Sequence, residues 1–173
     1  MASNALAEDA VDFAASLIGR PYVWGAEGPR SFDCSGLTQY VYERFGIDLP
    51  RRAIDQSQFG RSTGRRLLRG DLLFFSTDPG GSLVTHVALY EGNDMLIEAS
   101  KRYGRVSRDS LEDPYLADRY MFARHVDYGT DTEPVSRRDG REDDPIRRSN
   151  DKRQVAVRVL ERVAGELFKM PRR

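Results

Sequence analysis

The stretch FDCSGLTQY, Phe32 to Tyr40, holds the only cysteine of the 173-residue chain. A thiol attacks a carbonyl as its thiolate, and a free cysteine with a pKa of about 8.5 is mostly protonated at neutral pH. The neighbouring residues offer a remedy. Asp33 suits an N-cap, which would place Cys34 in the first turn of a helix, where unpaired N–H groups and the positive end of the dipole favour S⁻. Ser35 and Gly36 are small enough to let a substrate backbone approach, and their N–H groups would form half of an oxyanion hole. The opposing reading is a small buried hydrophobe. The residues alone leave both open.

A nucleophile of this kind needs a base, and the chain has only two histidines, His86 and His125. His86 lies in VTHVALYEG, where Val87 and Leu89 point one way and His86, Ala88 and Tyr90 the other. That alternation predicts a strand, a rigid place from which to aim an imidazole. His125 ends the last strand-like segment and reads as a partly exposed edge residue without a role. A third group should orient the imidazole, and Glu98 follows His86 by an even number of residues on the next strand. A hairpin turning through Glu91-Gly92-Asn93 would make the two direct cross-strand neighbours; a two-residue turn would put them on opposite faces.

The elements that must position these groups are legible in outline. Leu6, Ala10, Phe13, Ala14, Leu17 and Ile18 recur at helical spacing until Gly19. A Gly-, Pro- and aromatic-rich loop, PYVWGAEGPRSF, follows. A second helix is expected from Cys34 to about Phe45 with Gly46 as its stop, and RRAIDQSQFG suggests a short third. The period then changes, and DLLFFS, THVALYE, DMLIEAS and RYMFARHV read as strands. Helices first and strands second point to an α+β domain with an antiparallel sheet over residues 1–126.

From about Asp127 the chain is dense in both charges and poor in apolar residues, as expected of a flexible linker over 127–153. Residues 154–173 regain helical period and predict an amphipathic helix. The formal net charge is zero, which gives no electrostatic support to a nucleic-acid or membrane-coating role. No stretch of 18 apolar residues exists to span a bilayer. MASNALAEDAVDFAASLIG lacks the basic and continuous apolar regions of a signal peptide. One cysteine allows no internal disulfide and no cysteine-rich metal site.

At these residues the chain resembles the NlpC-type cysteine peptidases, papain-like enzymes that cut bacterial cell-wall peptides. PYVWGAEGP is similar to the family's aromatic-Gly loop and FDCSGLTQYVYERFGIDLPR to its nucleophile helix. RRLLRGDLLFF is similar to its Gly-Asp strand opening and THVALYEGNDMLIEAS to its histidine and third-residue strands. The resemblance covers about residues 8–126. It implies a papain-like α+β fold, N-terminal helices packed on a C-terminal antiparallel sheet, with the nucleophile at a helix N-terminus. It also implies Cys34 as nucleophile, His86 as base and Tyr22 as the active-site tyrosine near the oxyanion, with no metal and no organic cofactor. Glu98 falls at the third polar position, where the family usually has His, Asn or Gln; Ala26 stands where it often has a second Gly. Asp33, Ser35, Gly36 and Trp24 are the expected substrate- or oxyanion-binding residues. Arg69-Gly70-Asp71 spells an adhesion tripeptide, but here it becomes the turn that opens a strand.

The implied activity is hydrolysis of peptidoglycan stem peptides, after γ-D-glutamyl at diaminopimelate or lysine. With no signal peptide legible, action at the wall implies a non-Sec route, as a secretion-system effector or a phage lysis or tail component, or else a sequence trimmed to its mature form. The C-terminal tail would then contact a delivery adaptor or an immunity or inhibitor protein. Two other classes stay open: a cysteine acyltransferase, deamidase or amidase with a cytoplasmic target, and a non-catalytic wall-binding module.

Overall fold

The computed structural model of the chain describes residues 2–64 and 66–127. Helix α1, Ala2–Ser16, buries Ala7, Ala10, Val11 and Ala14, the stripe expected from i, i+3, i+4 spacing. Gly19, at φ +93°, turns the chain out of it, and its N–H bonds to the Val106 carbonyl. Helix α2, Cys34–Glu43, begins at an extended Asp33. It closes where the Gly46 and Ile47 N–H groups return to the carbonyls of Glu43 and Tyr42, with Gly46 left-handed. A single turn, α3 (Ala53–Gln56), follows.

The strands are β1 (Arg61–Ser62), β2 (Leu72–Phe75), β3 (His86–Gly92), β4 (Met95–Ser100), β5 (Arg105–Ser110) and β6 (Tyr120–His125), with one helical turn, α4 (Pro114–Ala117), before the last. They form one antiparallel sheet in the order β1-β6-β2-β3-β4-β5. This is the expected α+β arrangement of helices against an antiparallel sheet. One sheet face (Leu72, Phe74, Val87, Leu89, Ile97, Ala99 and Val106) packs on the buried stripes of α1 and α2. The other face (Leu73, Phe75, Ala88, Tyr90 and Leu96) packs on Leu111, Leu116 and Tyr120. Each large side chain so buried contributes about 1.5–3 kcal/mol, so burial on both faces holds the central strands β2, β3 and β4 rigid.

Strand β5 has no counterpart in the sequence reading. Its RVSRDS carries one apolar residue, because it is the outermost strand; residues 19–22 bond to the start of its free edge and its polar side chains protect the rest. The Arg69-Gly70-Asp71 turn does open β2. Asp71 is fully buried, accepts from the Leu68 N–H and pairs with His125 Nδ1 at 2.7 Å. His125 is therefore a partly exposed brace of that turn, with a structural role that its position at the strand end did not suggest. The charged segment from 128 onward and the C-terminal helix expected at 154–173 lie outside the described residues.

Candidate active site

Asp33 organises the surroundings of Cys34. Its Oδ1 accepts the Gly36 N–H at 2.7 Å, capping α2, and its Oδ2 accepts the Gly25 N–H at 2.9 Å, tying the aromatic loop to the helix. Arg51 grips the same carboxylate with both terminal nitrogens, at 3.0 and 2.6 Å, and also donates to Ser35 Oγ at 3.0 Å. The Arg51 guanidinium is held charged by these bonds to Asp33, against partial burial and with help from Glu27. A buried acid that spends both oxygens on its own chain positions the helix; its carboxylate does not stand open to a substrate.

Gly36 is likewise small for an internal reason. A Cβ there would lie 2.2 Å from the Ala26 carbonyl oxygen, so it is the chain's own loop, not a substrate backbone, that approaches it. Its N–H is taken by Asp33, whereas the N–H groups of Cys34 and Ser35 have no carbonyl one turn back within the helix. Ser35 is buried, and its carbonyl accepts from the fully buried Gln56. Gln56 also accepts from Thr38 at 2.7 Å, locking α3 under the head of α2.

His86 begins β3, at the rim of the sheet where that strand meets the head of α2. One ring nitrogen, Nε2, donates to Glu98 Oε2, and the imidazole also acts on the Cys34 thiol. Phe75, directly across on β2, holds a ring face beside the imidazole at a centroid distance of 5.7 Å. The sequence left two registers open, direct pairing through a three-residue turn or opposite faces through a two-residue turn, and the structure shows neither. Leu89 pairs with Ile97 and Tyr90 with Leu96. Continued along β3, that register sets Ala88, not His86, opposite Glu98, and the histidine reaches the carboxylate along the diagonal. The turn has two residues, Asn93 and Asp94, both left-handed. A bulge between Tyr90 and Gly92 adds the extra residue that returns His86 and Glu98 to one face.

The electrostatics follow from these contacts. Burial pushes the Cys34 thiol up, but the hydrogen bond and charge of His86, with the Val87 N–H, bring it below its ordinary value. Burial works against a charged His86, yet Cys34 and Glu98 push the imidazole up to about 10. Burial also opposes ionisation of Glu98, and the His86 and Ser100 bonds still hold its carboxyl below the usual range. All three shifts run toward the charged form of each group: thiolate, imidazolium and carboxylate. Tyr22 is half-buried, and its phenol is raised by burial and by the negative charges of Cys34 and Asp33, so it keeps its proton as a donor should. Trp24, two residues on, stands 82% exposed.

Arg51, Gln56 and Ser100 are the site residues that motif reasoning left without a role. Arg51 lies within the quoted FDCSGLTQYVYERFGIDLPR stretch, but nothing in its spacing announces that it folds back onto Asp33. Among the described residues no cluster of three or more His, Cys, Asp or Glu side chains can hold a metal ion. Nor is any described helix long and apolar enough to cross a membrane.

Comparison with known proteins gives a consistent result. The profile of the NlpC/P60 family matches residues 19–125. The chain is 34% identical over 119 residues to a gamma-D-glutamyl-L-lysine dipeptidyl-peptidase of Bacillus cereus, covering 68% of this chain and 36% of that protein. It is 39% identical over 110 residues to the murein DD-endopeptidase MepS/murein LD-carboxypeptidase of Escherichia coli, covering 62% and 56%. A crystal structure of an NlpC/P60 family protein from Bacillus cereus superposes with a TM-score of 0.65 at 34% identity, over 69% of this chain and 40% of the other. The chain thus spans about a third of the length of the first of these two relatives and just over half of the second.

Proposed function

Because the chain belongs to the NlpC/P60 family, whose members among its relatives are peptidoglycan hydrolases, we propose that it hydrolyses amide bonds of peptidoglycan stem peptides by thiol acyl transfer at Cys34. The observation that carries the proposal is the placing of Cys34 at the head of a capped helix, with its thiol coupled to His86 and His86 bonded to Glu98.

In this reading the Cys34 thiolate attacks the peptide carbonyl carbon, and the developing oxyanion is met by the Cys34 and Ser35 N–H groups and the Tyr22 phenol. The imidazolium of His86 gives its proton to the leaving amine. Neutral His86 then takes a proton from water, whose oxygen displaces the sulfur and regenerates the thiolate–imidazolium pair. Glu98 keeps the ring oriented and favours its charged form throughout. The bond we assign is γ-D-glutamyl to the following diamino acid, supported by the name of the Bacillus cereus relative. The site of action is accordingly the cell wall.

The test is digestion of purified stem peptides followed by mass spectrometry. Products carrying a new free amine on the diamino acid, absent with Cys34→Ala, support the proposal. Intact peptides beside a thiol that still reacts rapidly with iodoacetamide would redirect it to another acyl-transfer substrate. Intact peptides with a sluggish thiol would leave a binding module.

A further inference from the structure

Ser107, on the edge strand β5, sits directly opposite Glu98 in the β4–β5 ladder. Directly paired residues point to the same face with Cβ atoms about 4.5–5.5 Å apart, a gap that a glutamate side chain and a serine hydroxyl span between them. Ser107 is 9% exposed, and its hydroxyl is buried without a hydrogen-bond partner among the described residues. Buried hydroxyls are seldom left so, and when they are the cause is commonly functional. The hydroxyl can turn among three staggered χ1 positions; the acceptor directly opposite it is the Glu98 carboxylate, while the Asp109 carboxylate lies two residues along its own strand. That carboxylate has four lone-pair directions, of which His86 and Ser100 take two.

We propose that Ser107 is a positioning residue for the reaction: its hydroxyl donates to the Glu98 carboxylate, holding it ionised and aimed at His86. The inference rests on the role given to Glu98 above and concerns a feature particular to a carboxylate at that position. The other groups facing Glu98 are accounted for. His86 faces it from β3, and Ser100 donates from its own strand. Arg102 lies beyond the end of β4 and attracts its charge, while Arg102 itself is engaged by Asp113, the cap of α4. Asp109 on β5 carries like charge; burial raises its carboxyl, and repulsion from Glu98 raises it further. Ser107 is thus the remaining hydroxyl able to favour the charged carboxylate on a face that also holds a repelling acid.

The test needs no substrate, so its failure is distinct from a failure of the proposed activity. The carboxyl ¹³C resonance of Glu98 is followed by NMR against pH in the full chain, with assignment by its disappearance in Glu98→Gln. A carboxylate that accepts two or three donors titrates about two pH units low. Ser107→Ala should therefore raise the Glu98 midpoint by about 0.7–1 pH unit, a change of about five- to tenfold in its ionisation constant. Ser107→Thr keeps the hydroxyl and should keep the wild-type midpoint, which a purely structural role for the small side chain would not predict. An unmoved midpoint in Ser107→Ala, or an equal shift in the threonine variant, would overturn the proposal.

Discussion

Replacing Glu98 by Gln keeps the length and an acceptor oxygen but removes the charge behind His86. The imidazole is pushed up to about 10 although burial opposes its charge, with Cys34 and Glu98 as the supporting partners. An opposite charge at hydrogen-bond range is worth about 1–3 pH units, or about 1.4–4 kcal/mol. Without it the burial penalty stays in place, and the midpoint of His86 should fall to between about 7 and 9. Since imidazolium must protonate the leaving amine, the alkaline limb of kcat/KM on a stem peptide should fall by the same amount. At pH 9 the variant should lose about twofold to a hundredfold relative to wild type, and at pH 6 it should change little. The assay is the full pH profile of kcat/KM for both proteins. An alkaline limb that stays in place, or a loss of equal size at every pH, would show that Glu98 acts only as a spacer and would refute this reasoning.

Other outcomes follow from the same contacts. Gly36→Ala should destabilise by about 1–3 kcal/mol and impair activity, because its Cβ would meet the Ala26 carbonyl; thermal unfolding and peptide hydrolysis check it. Arg51→Ala leaves the buried Asp33 without its bidentate partner, a loss of about 1–3 kcal/mol once the guanidinium's partial exposure is allowed for. Denaturant titration should show Arg51→Lys recovering only part of it, since an ammonium cannot reproduce the fork. Glu98's folded pKa is depressed below 4.5, so its contribution to stability is present above that pH and lost as pH falls through the folded value. The Tm difference between wild type and Glu98→Gln should therefore shrink on acidification below about pH 4.5, and a gap that widens there would contradict the sign. Ala88→Leu should block the diagonal between Glu98 and His86, lowering kcat more than KM is raised.

The head of α2 was readable because Asp-Cys-Ser-Gly states its own local physics: a cap, a nucleophile and room for close approach. What needed the structure was the identity of the approaching group, since only three dimensions reveal that the Ala26 carbonyl fills the space over Gly36. The His86 strand was readable from its alternation, and the choice of Glu98 from parity along the chain. The register was not, because the Asn93-Asp94 turn and the bulge before Gly92 cancel in their effect on facing, and a bulge leaves no mark in residue order. Strand β5 escaped notice because an edge strand gains by being polar, which erases the apolar signal used to find strands. Arg51 and Gln56 act 17 and 22 residues beyond Cys34, through contacts made only when α3 folds beneath α2. The pairing of His125 with Asp71 is longer in range still, joining the last strand to the turn that opens β2.

The most direct measurement is mass spectrometry of purified stem peptides incubated with the wild-type protein and with Cys34→Ala, trapping any acyl-enzyme by rapid acid quench. The account predicts cleavage between D-glutamate and the diamino acid by the wild type, with the acyl mass on the Cys34 peptide, and neither in the mutant. Cleavage that persists in Cys34→Ala, or wild-type cleavage with the acyl group on another residue, would contradict it.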